Sequence, residues 1–479
     1  MTQLVDARPP SLTLAETSAQ RMNLLRLPLI KRLLTHRLFP FALILPNLFV
    51  FVLVILTGLF GTPVGNANFS IIFVWIVWWA LLIMLLIPLG GRVWCTMCPI
   101  PAVGEWVQRK GVAERKQGRP FSLGKDWPRP LRNIWLQNFS FLAVAAFSAV
   151  VLTRPFVTGA VLLGFMVAAL ALFLIYRRRA FCRYVCPVSG FIGLYSTVAP
   201  LEIRVIDQDV CLRHCGVKGK ECVKGSAAGY GCPWMEYPGT LARNSYCGMC
   251  MECLKTCPQD NLALNVRPFG SDLLVPKRHL DEAFKGFIML GAAVLYSIVM
   301  LGRWGWIKDW ANLGSGSMIH FAAYVALLVG AVMVLTPALF YAVAAASRLL
   351  SRAKTVPVRQ LFVSFAYTTV PLGLAAWVAF SFSFVLINVS YAIPVLSDPF
   401  GWGWNLFGTA GYRWTPYFPE LLPYLQVPVL AVGLMLSIRL GHRIALENFG
   451  NAAEASRAAL PVSVFLTAVT LALVWLYIG

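Results

Sequence analysis

Long apolar stretches constrain this chain most strongly, because a segment of about 20 apolar residues folds stably as a helix across a bilayer. The sequence of 479 residues is 58% hydrophobic and 13% charged, whereas soluble domains carry about 25% charged residues. We predict nine spans, the seventh long enough to tilt: 38–60, 69–89, 134–153, 158–176, 284–302, 318–343, 362–393, 424–441 and 459–478. The predicted fold class is mainly α, a polytopic α-helical membrane protein.

Basic residues predict the orientation of these spans. With the N-terminus inside, 37 of the 41 Lys and Arg residues lie on the inner side, and only Arg154, Arg303, Lys308 and Arg413 lie outside. This bias follows the positive-inside rule and accounts for the net charge of +21 without nucleic acid. Residues 1–37 are polar and basic, so we expect a cytoplasmic tail and no cleaved signal peptide. The predicted location is the bacterial inner membrane, with the C-terminus outside.

The segment from Cys247 to Pro258 has the spacing C-x2-C-x2-C-x3-C-P, which is typical of a bacterial ferredoxin with a cubane 4Fe-4S cluster. The proline pushes the residue before it to an extended backbone, which ends the ligand loop. A zinc ribbon is the alternative, but it places two C-x2-C pairs about 15–20 residues apart. We therefore predict that the four cysteines of this motif are iron ligands: Cys247, Cys250, Cys253 and Cys257.

A looser set of cysteines precedes this motif, with the spacing C-x3-C-x6-C-x9-C-P. It comprises Cys211, Cys215, Cys222 and Cys232. A second 4Fe-4S cluster is the favoured interpretation, and a zinc site that includes His214 or Cys232 is the alternative. In two-cluster ferredoxins the fourth cysteine of each run ligates the other cluster. Cys257 is then expected to join Cys211, Cys215 and Cys222, and Cys232 to join the first three cysteines of the clean motif.

The first four predicted spans form a repeat of two helix pairs, each of which ends in a basic-aromatic-Cys turn followed by proline. The turns contain the remaining four of the 12 cysteines: Cys95, Cys98, Cys182 and Cys186. They are expected to meet at the cytoplasmic membrane face, where they could hold a third cluster, cycle between dithiol and disulfide, or bind a metal in transit. Nearby arginines would stabilise thiolates there: Arg92, Arg177, Arg178, Arg179 and Arg183.

The C-terminal half, 284–479, has no cysteine, and its outer loops are rich in Trp and Tyr. An interfacial aromatic belt is the favoured interpretation, and a surface for an outer partner is the alternative. His320 and His442 lie at opposite membrane levels, so no haem is expected. The sequence contains no nucleotide-binding or flavin motif and no pair of carboxylates within a span. We predict no catalytic residues of its own.

Four regions follow from these patterns. Residues 1–37 form the basic tail and 38–186 a four-helix membrane core with two Cys-Pro motifs. Residues 187–283 form a cytoplasmic ferredoxin-like segment, and 284–479 form a C-terminal membrane domain of about five helices.

This arrangement resembles the NosR/NapH-type membrane iron–sulfur proteins over about residues 38–265. The resemblance rests on the four Cys-Pro runs, and it implies quinol-linked electron transfer to respiratory reductases or a role in their maturation. The first motif here is C-x2-C-P where C-x3-C-P is usual. The flavin-binding domain of the NosR kind is not expected before the first span, and the C-terminal helices are extra. FixG/CcoG-type copper-handling proteins share a similar core but end in a soluble domain.

We therefore expect a membrane-bound iron–sulfur electron-transfer protein, which links the quinone pool or a cytoplasmic donor to a respiratory reductase. The expected cofactors are two 4Fe-4S clusters, with a third cluster and a quinone as further options. The expected partners are membrane lipid, quinol, and a cytoplasmic donor or periplasmic acceptor protein. One alternative is a maturation or metal-handling protein that reduces copper or thiols, and another is a structural anchor for a larger complex.

Overall fold

The computed structural model describes residues 21–112, 120–148, 153–215, 220–275, 278–301, 304–314, 317–352 and 356–478. Within these ranges, eight helical segments are long and apolar enough to cross a bilayer. They are Phe41–Phe60, Phe69–Gly90, Pro155–Ile175, Leu280–Met300, Met318–Ser351, Val358–Ser397, Pro419–Phe449 and Ala452–Ile478. The described part of the predicted third span is a shorter apolar helix, Trp135–Ser148. The mainly α, multi-pass architecture is thereby confirmed.

The last three helical segments are longer than the sequence predicts. The seventh predicted span, 362–393, corresponds to the segment Val358–Ser397, which is a run of consecutive helices. The last two form a hairpin, Leu422–Phe449 and Ala452–Ile478, which turns at Gly450 with φ 71°. The predicted bounds are too short because apolar character stops at the first charged residues, whereas the helical backbone continues beyond them.

The two halves of the sequence repeat cross closely within the membrane. A Cβ added to Gly58 would lie 2.8 Å from the carbonyl oxygen of Pro155 and 2.9 Å from the Cα of Gly159. Small residues at such a crossing allow two helix backbones to approach each other. The crossing holds the first span of one repeat against the second span of the other.

Short helices follow the inner ends of these spans and carry the Cys-Pro motifs. They are Val93–Met97, Ala102–Arg109, a π-helical turn at Phe181–Val185, and Pro187–Tyr195. The C-terminal half packs onto the same region through Trp377, whose ring centroid lies 5.5 Å from Trp79 and 5.6 Å from Phe191. Both halves therefore share one core around the motifs.

The water-exposed segment is built on a small antiparallel sheet. Its strands are β1 (Met22–Asn23), β2 (Leu201–Val205) and β3 (Leu262–Val266), in the order β1-β3-β2. Strand β1 belongs to the described end of the basic tail, residues 21–37, so this part of the tail joins the sheet. The other short helices are Pro28–Thr35, Val210–His214 (π-helical), Glu221–Lys224, Glu252–Thr256 and Gly305–Trp310.

Candidate metal centres

Four cysteines from the two helix-pair repeats lie together where the spans Phe69–Gly90 and Pro155–Ile175 end. We call them the membrane-face group: Cys95, Cys98, Cys182 and Cys186. Cys95 acts electrostatically on each of the other three thiols, those of Cys98, Cys182 and Cys186. All but Cys98 are buried. The structure thus brings the two copies of the sequence repeat to a single point.

Helix termini position these thiols. Cys95 lies in helix Val93–Met97. Cys186 immediately precedes the helix Pro187–Tyr195, and its sulfur accepts a hydrogen bond from the backbone N–H of Ser189 at 3.4 Å. Proline suits the first helical position because its missing N–H needs no partner there. The N–H groups of the first turn are then free to favour a negatively charged sulfur.

Burial favours the protonated form of three of the membrane-face thiols, those of Cys98, Cys182 and Cys186. It is the main cause that raises the pKa of Cys98 and Cys182 well above the ordinary value and that of Cys186 to about 11. Because the thiolate is the reactive form, such thiols are poor reagents for disulfide exchange. Iron would supply the positive charge that allows all four to ionise. The residues therefore fit a cluster better than a dithiol switch.

A buried ion pair supports the first motif of this group. The Arg179 guanidinium donates to the carbonyl oxygen of Cys95 at 2.9 Å and pairs with the Glu105 carboxylate at 2.8 Å. Burial opposes ionisation of Glu105, but Arg109 and Arg179 outweigh it and lower the pKa of that carboxyl. A complete ion pair of this kind fixes Arg179 beside the cysteines.

A second arginine joins the membrane face to the clean motif. Arg92 donates to the carbonyl oxygen of Ser245 and to the hydroxyl of Ser189. Its guanidinium carbon lies 4.3 Å from the ring centroid of Trp234, a distance at which a cation is attracted to an aromatic face. A Cβ added to Gly248 would lie 1.9 Å from the indole nitrogen of Trp234. Only glycine therefore fits at this position of the motif.

The clean motif forms a second set of thiols, which we call the central group: Cys232, Cys247, Cys250 and Cys253. Each of them is influenced electrostatically by at least one other member. Burial raises the pKa of Cys232 and Cys247 to about 11 and that of Cys250 to about 12. The loop wraps inward through positive φ angles at Met249 and Met251, of 51° and 61°. The Cys232 thiol is influenced by Cys247 of the clean motif, while its backbone N–H donates to the carbonyl oxygen of Cys222, in its own run, at 2.9 Å.

The remaining thiols form the edge group: Cys211, Cys215, Cys222 and Cys257. Cys257 acts electrostatically on Cys211 and Cys222, although it belongs to the clean motif in sequence. Asn261 donates to two of the sulfurs, from its side-chain amide to Cys211 at 3.3 Å and from its backbone N–H to Cys257 at 3.4 Å. This grouping is the one that the predicted exchange of fourth ligands requires.

The three groups adjoin one another in the order membrane-face, central, edge. Arg179 interacts electrostatically with Cys182 of the membrane-face group and with Cys250 of the central group. Cys253 of the central group in turn interacts with Cys222 of the edge group. The buried indole of Trp234 contacts the central loop and lines a cavity together with the membrane-face cysteines. A continuous series of thiol sites results.

A mononuclear metal site and a cubane cluster differ in how closely they gather their thiolates. Among the described residues, no three His, Cys, Asp or Glu side chains converge closely enough to hold a single metal ion. Zinc needs its thiolates within about 2.3 Å of one point. A cubane takes one thiolate at each of four irons and so spaces its ligands more widely. The side chain of His214, a member of the alternative zinc set, lies outside the described residues.

An apolar cavity of about 200 Å³ reaches the membrane-face group from within the span helices. Its walls include all four cysteines of that group and the rings of Trp78, Trp94, Phe141, Phe191 and Trp377. Because Trp377 belongs to the C-terminal half, both halves of the chain form the cavity. Such a lining suits a flat or elongated apolar molecule.

A second, polar cavity of about 440 Å³ adjoins the central group. Cys250 is part of its wall, together with Arg37, Arg109, Glu252 and Lys255. Lys255 pairs with Glu252 at 2.9 Å, and the Arg109 guanidinium lies 4.1 Å from the ring centroid of Tyr230. The central group is thus approachable from a polar side as well.

The arginines predicted beside the membrane-face cysteines divide into two sets. Arg92 and Arg179 are buried against that group. Arg178 donates to the carbonyl oxygen of Cys232, and Arg183 pairs with Glu236 at 2.6 Å. The side chain of Arg177 is 58% exposed and faces Asp126 at 3.5 Å, so it does not join the cysteines.

Sequence reasoning missed Glu105 and Trp234. Glu105 follows the first Cys-Pro pair within an otherwise apolar run, and this isolated carboxylate was a usable signal. Trp234 follows Cys232-Pro233, but nothing in the spacing indicated that its ring would lie beneath Arg92.

A family model described as a 4Fe-4S binding domain matches the chain twice, over residues 71–120 and 158–198. Each match contains one of the two helix-end Cys-Pro motifs, so both copies of the repeat are similar to this family. No curated protein and no solved structure matches the chain. The matches support an iron–sulfur, ferredoxin-like protein, and the fold makes it a multi-pass membrane protein.

Proposed function

We propose that this chain is a membrane-bound electron-transfer protein with three 4Fe-4S clusters, which links the quinone pool or a cytoplasmic donor to a respiratory reductase. The observation that carries the proposal is the contiguity of the three cysteine groups through Arg179, Trp234 and Cys253. Clusters of this kind, when bound, accept and release single electrons. Three clusters in series would carry electrons between a polar surface of the protein and the membrane.

The ligand sets follow from the grouping of the thiols. The membrane-face group, Cys95, Cys98, Cys182 and Cys186, would hold one cluster. The central group, Cys232, Cys247, Cys250 and Cys253, would hold the second. The edge group, Cys211, Cys215, Cys222 and Cys257, would hold the third. Burial and repulsion among the thiols favour a cationic occupant in each, and the N–H groups directed at Cys186, Cys211 and Cys257 would stabilise their thiolates.

The apolar cavity supports a quinone as the partner at the membrane end. A quinone is a flat ring with a long apolar tail, and the cavity combines aromatic walls with direct access to the membrane-face cysteines. Quinol oxidation there would pass two electrons, one at a time, to the clusters, and the two quinol protons would leave to bulk water. The chain's part is to hold the ring beside the cysteines and to exclude water.

The edge group supports a soluble protein partner at the other end. Cys211, Cys215 and Cys257 are partly exposed, unlike most of the other cysteines. The Lys220 ammonium lies 4.5 Å from the ring centroid of Tyr237, which in turn donates to the carbonyl oxygen of Cys211. A cationic and aromatic rim of this kind suits a protein partner with an acidic docking surface.

Reduction of the purified, cluster-loaded protein by a short-chain hydroquinone tests the proposal. We expect bleaching of the iron–sulfur absorbance, followed by reoxidation with the matching quinone. Ala145 lines the cavity and is buried, whereas Ala143 is exposed on the same helix. Ala145→Trp should slow bleaching at least tenfold, and Ala143→Trp should leave it unchanged.

Two results would redirect the assignment. Equal bleaching rates in both variants would remove the quinone from this cavity. If hydroquinone bleaches neither the wild type nor the variants, while copper(II) or a disulfide substrate reoxidises dithionite-reduced protein, the maturation and metal-handling function would replace the respiratory one.

A further inference from the structure

Lys285 is a fully buried charged residue within the span helix Leu280–Met300. Its ammonium lies 3.3 Å from the carbonyl oxygen of Gln137 and 5.3 Å from the ring centroid of Phe141. No carboxylate pairs with it among the described residues. A charged side chain inside a membrane protein costs several kcal/mol unless an opposite charge or polar groups compensate it. One carbonyl and one ring are little compensation for a full positive charge.

The acidic residues of the same helix are turned to other partners. The Asp281 carboxylate accepts the backbone N–H of Ile134 at 2.9 Å. The Glu282 carboxylate pairs with Arg243 at 2.8 Å. These two residues are one turn away from Lys285, and their bonds hold them at the inner end of the span. A negative charge that compensates the Lys285 ammonium would therefore have to come from another element.

The second repeat motif provides that element. Cys186 is the ionisable group that acts electrostatically on Lys285. Gln137, whose carbonyl accepts from the ammonium, donates its side-chain amide to the carbonyl oxygen of Cys182 at 3.0 Å. A Cβ at Gly190 would lie 2.8 Å from the Lys285 nitrogen, so glycine leaves the space that the ammonium occupies. Lys285 is therefore packed against the turn that carries half of the membrane-face group.

We propose that Lys285 is the charge partner of the membrane-face cluster and raises its reduction potential. The inference rests on the proposed function, because it requires a cluster at Cys95, Cys98, Cys182 and Cys186. Cluster potentials depend on net charge and surroundings. One-electron reduction, by dithionite in the experiment below, adds a negative charge near the ammonium. The step transfers one electron, and no covalent bond forms or breaks. Lys285 acts as a positioning residue, since it works through the cluster.

A redox titration followed by electron paramagnetic resonance tests this role in the loaded, full-length protein. The membrane-face signal is identified as the one that Cys95→Ser/Cys182→Ser removes. Lys285→Met removes the charge and keeps the volume, and it should shift the midpoint potential of that signal to a lower value. The other two signals should stay in place. Lys285→Arg should retain the wild-type value, as should Lys308→Gln, which removes an exposed lysine from a remote helix.

An unchanged midpoint potential in Lys285→Met, with the signal still present, would overturn the inference and leave the three-cluster proposal intact. Absence of a third signal from the wild type would instead overturn the cluster assignment itself. If Lys285→Met loses the cluster, Lys285→Gln takes its place in the titration. Loss of the membrane-face cluster from the Lys285→Met, Lys285→Gln and Lys285→Arg variants alike would indicate a packing role and count against the inference. Loss of the cluster from Lys285→Met and Lys285→Gln, but not from Lys285→Arg, would support it.

Discussion

The membrane-face group and the edge group are built from the same residue type in very different surroundings. Cys182 and Cys186 are 7% and 8% exposed, and the guanidinium groups of Arg179 and Arg92 act on them electrostatically. The edge group has one buried cysteine, Cys222, and three that are partly exposed. Asn261, a neutral residue, donates to two of its sulfurs.

This difference indicates two uses of one ligand chemistry. Buried cations favour the reduced, more negative state of a cluster, and exclusion of water strengthens every charge interaction around it. A partly exposed cluster is accessible to a soluble partner and is also accessible to oxidants. The membrane-face site is thus suited to accept electrons within the membrane and the edge site to exchange them at the surface.

The largest effect is expected where the central loop packs on Trp234. Gly248→Val would place side-chain atoms where the indole lies, since even a Cβ would be 1.9 Å from its nitrogen. We expect destabilisation of about 3 kcal/mol or more and loss of at least half of the bound iron. Iron content and thermal unfolding measure this effect. Gly164→Val is the control because nothing lies within 4 Å of a Cβ there, and equal damage in both variants would contradict the packing argument.

Ion pairs sharpen the contrast between the two regions. Glu105→Gln leaves Arg179 buried without its carboxylate, which should cost about 3–5 kcal/mol in unfolding free energy and remove the membrane-face cluster first. The pair Asp209–Arg213, next to the edge group, is 63% and 76% exposed. Asp209→Asn should therefore have no measurable effect. A comparable loss of stability in the two variants would show that burial does not distinguish the regions.

Stability of the iron-free protein should depend on pH in a way that separates the groups. Burial raises the pKa of Cys186 from 9.0 to about 11, so the folded state holds this proton more tightly than the unfolded state. The corresponding stability is complete below pH 9 and is lost as the pH rises from about 9 to about 11. Cys186→Ser should remove roughly 3 kcal/mol of this dependence, and Cys211→Ser less. Denaturant unfolding at a series of pH values measures it, and identical slopes would be contrary to expectation.

A smaller difference concerns the order of cluster loss. Limited treatment with ferricyanide should remove iron from the edge group before the membrane-face group, because Cys211, Cys215 and Cys257 are partly exposed. Mössbauer spectra recorded during the treatment, compared between wild type and Cys95→Ser/Cys182→Ser, identify which signal fades. Initial loss of the membrane-face signal would break the proposed contrast.

The sequence predicted the class of fold because apolar length and basic asymmetry are properties of the chain itself. The exchange of Cys257 and Cys232 between two clusters, which follows from the ferredoxin rule, stays a prediction. The sequence did not predict the ends of the last spans, because helices such as Leu422–Phe449 continue through charged positions. The sequence also did not predict that β1 pairs with the sheet, because two residues are too few to show a periodic pattern.

The supporting residues were harder to foresee than the ligands. Arg179 and Arg177 are two positions apart in one basic run, yet Arg179 is buried beside Cys95 and Arg177 points to Asp126. Lys285 carries no motif at all, and its meaning comes from the neighbouring Gln137 and Gly190. Such roles depend on tertiary contacts, which spacing in one sequence does not encode.

Iron and acid-labile sulfide per chain, measured in anaerobically purified wild type and in Cys95→Ser/Cys182→Ser, test the three-cluster account most directly. Three cubanes predict about twelve irons in the wild type and about eight in the variant, with sulfide in equal amounts. About eight irons in both proteins would contradict the account and leave the membrane-face cysteines as thiols.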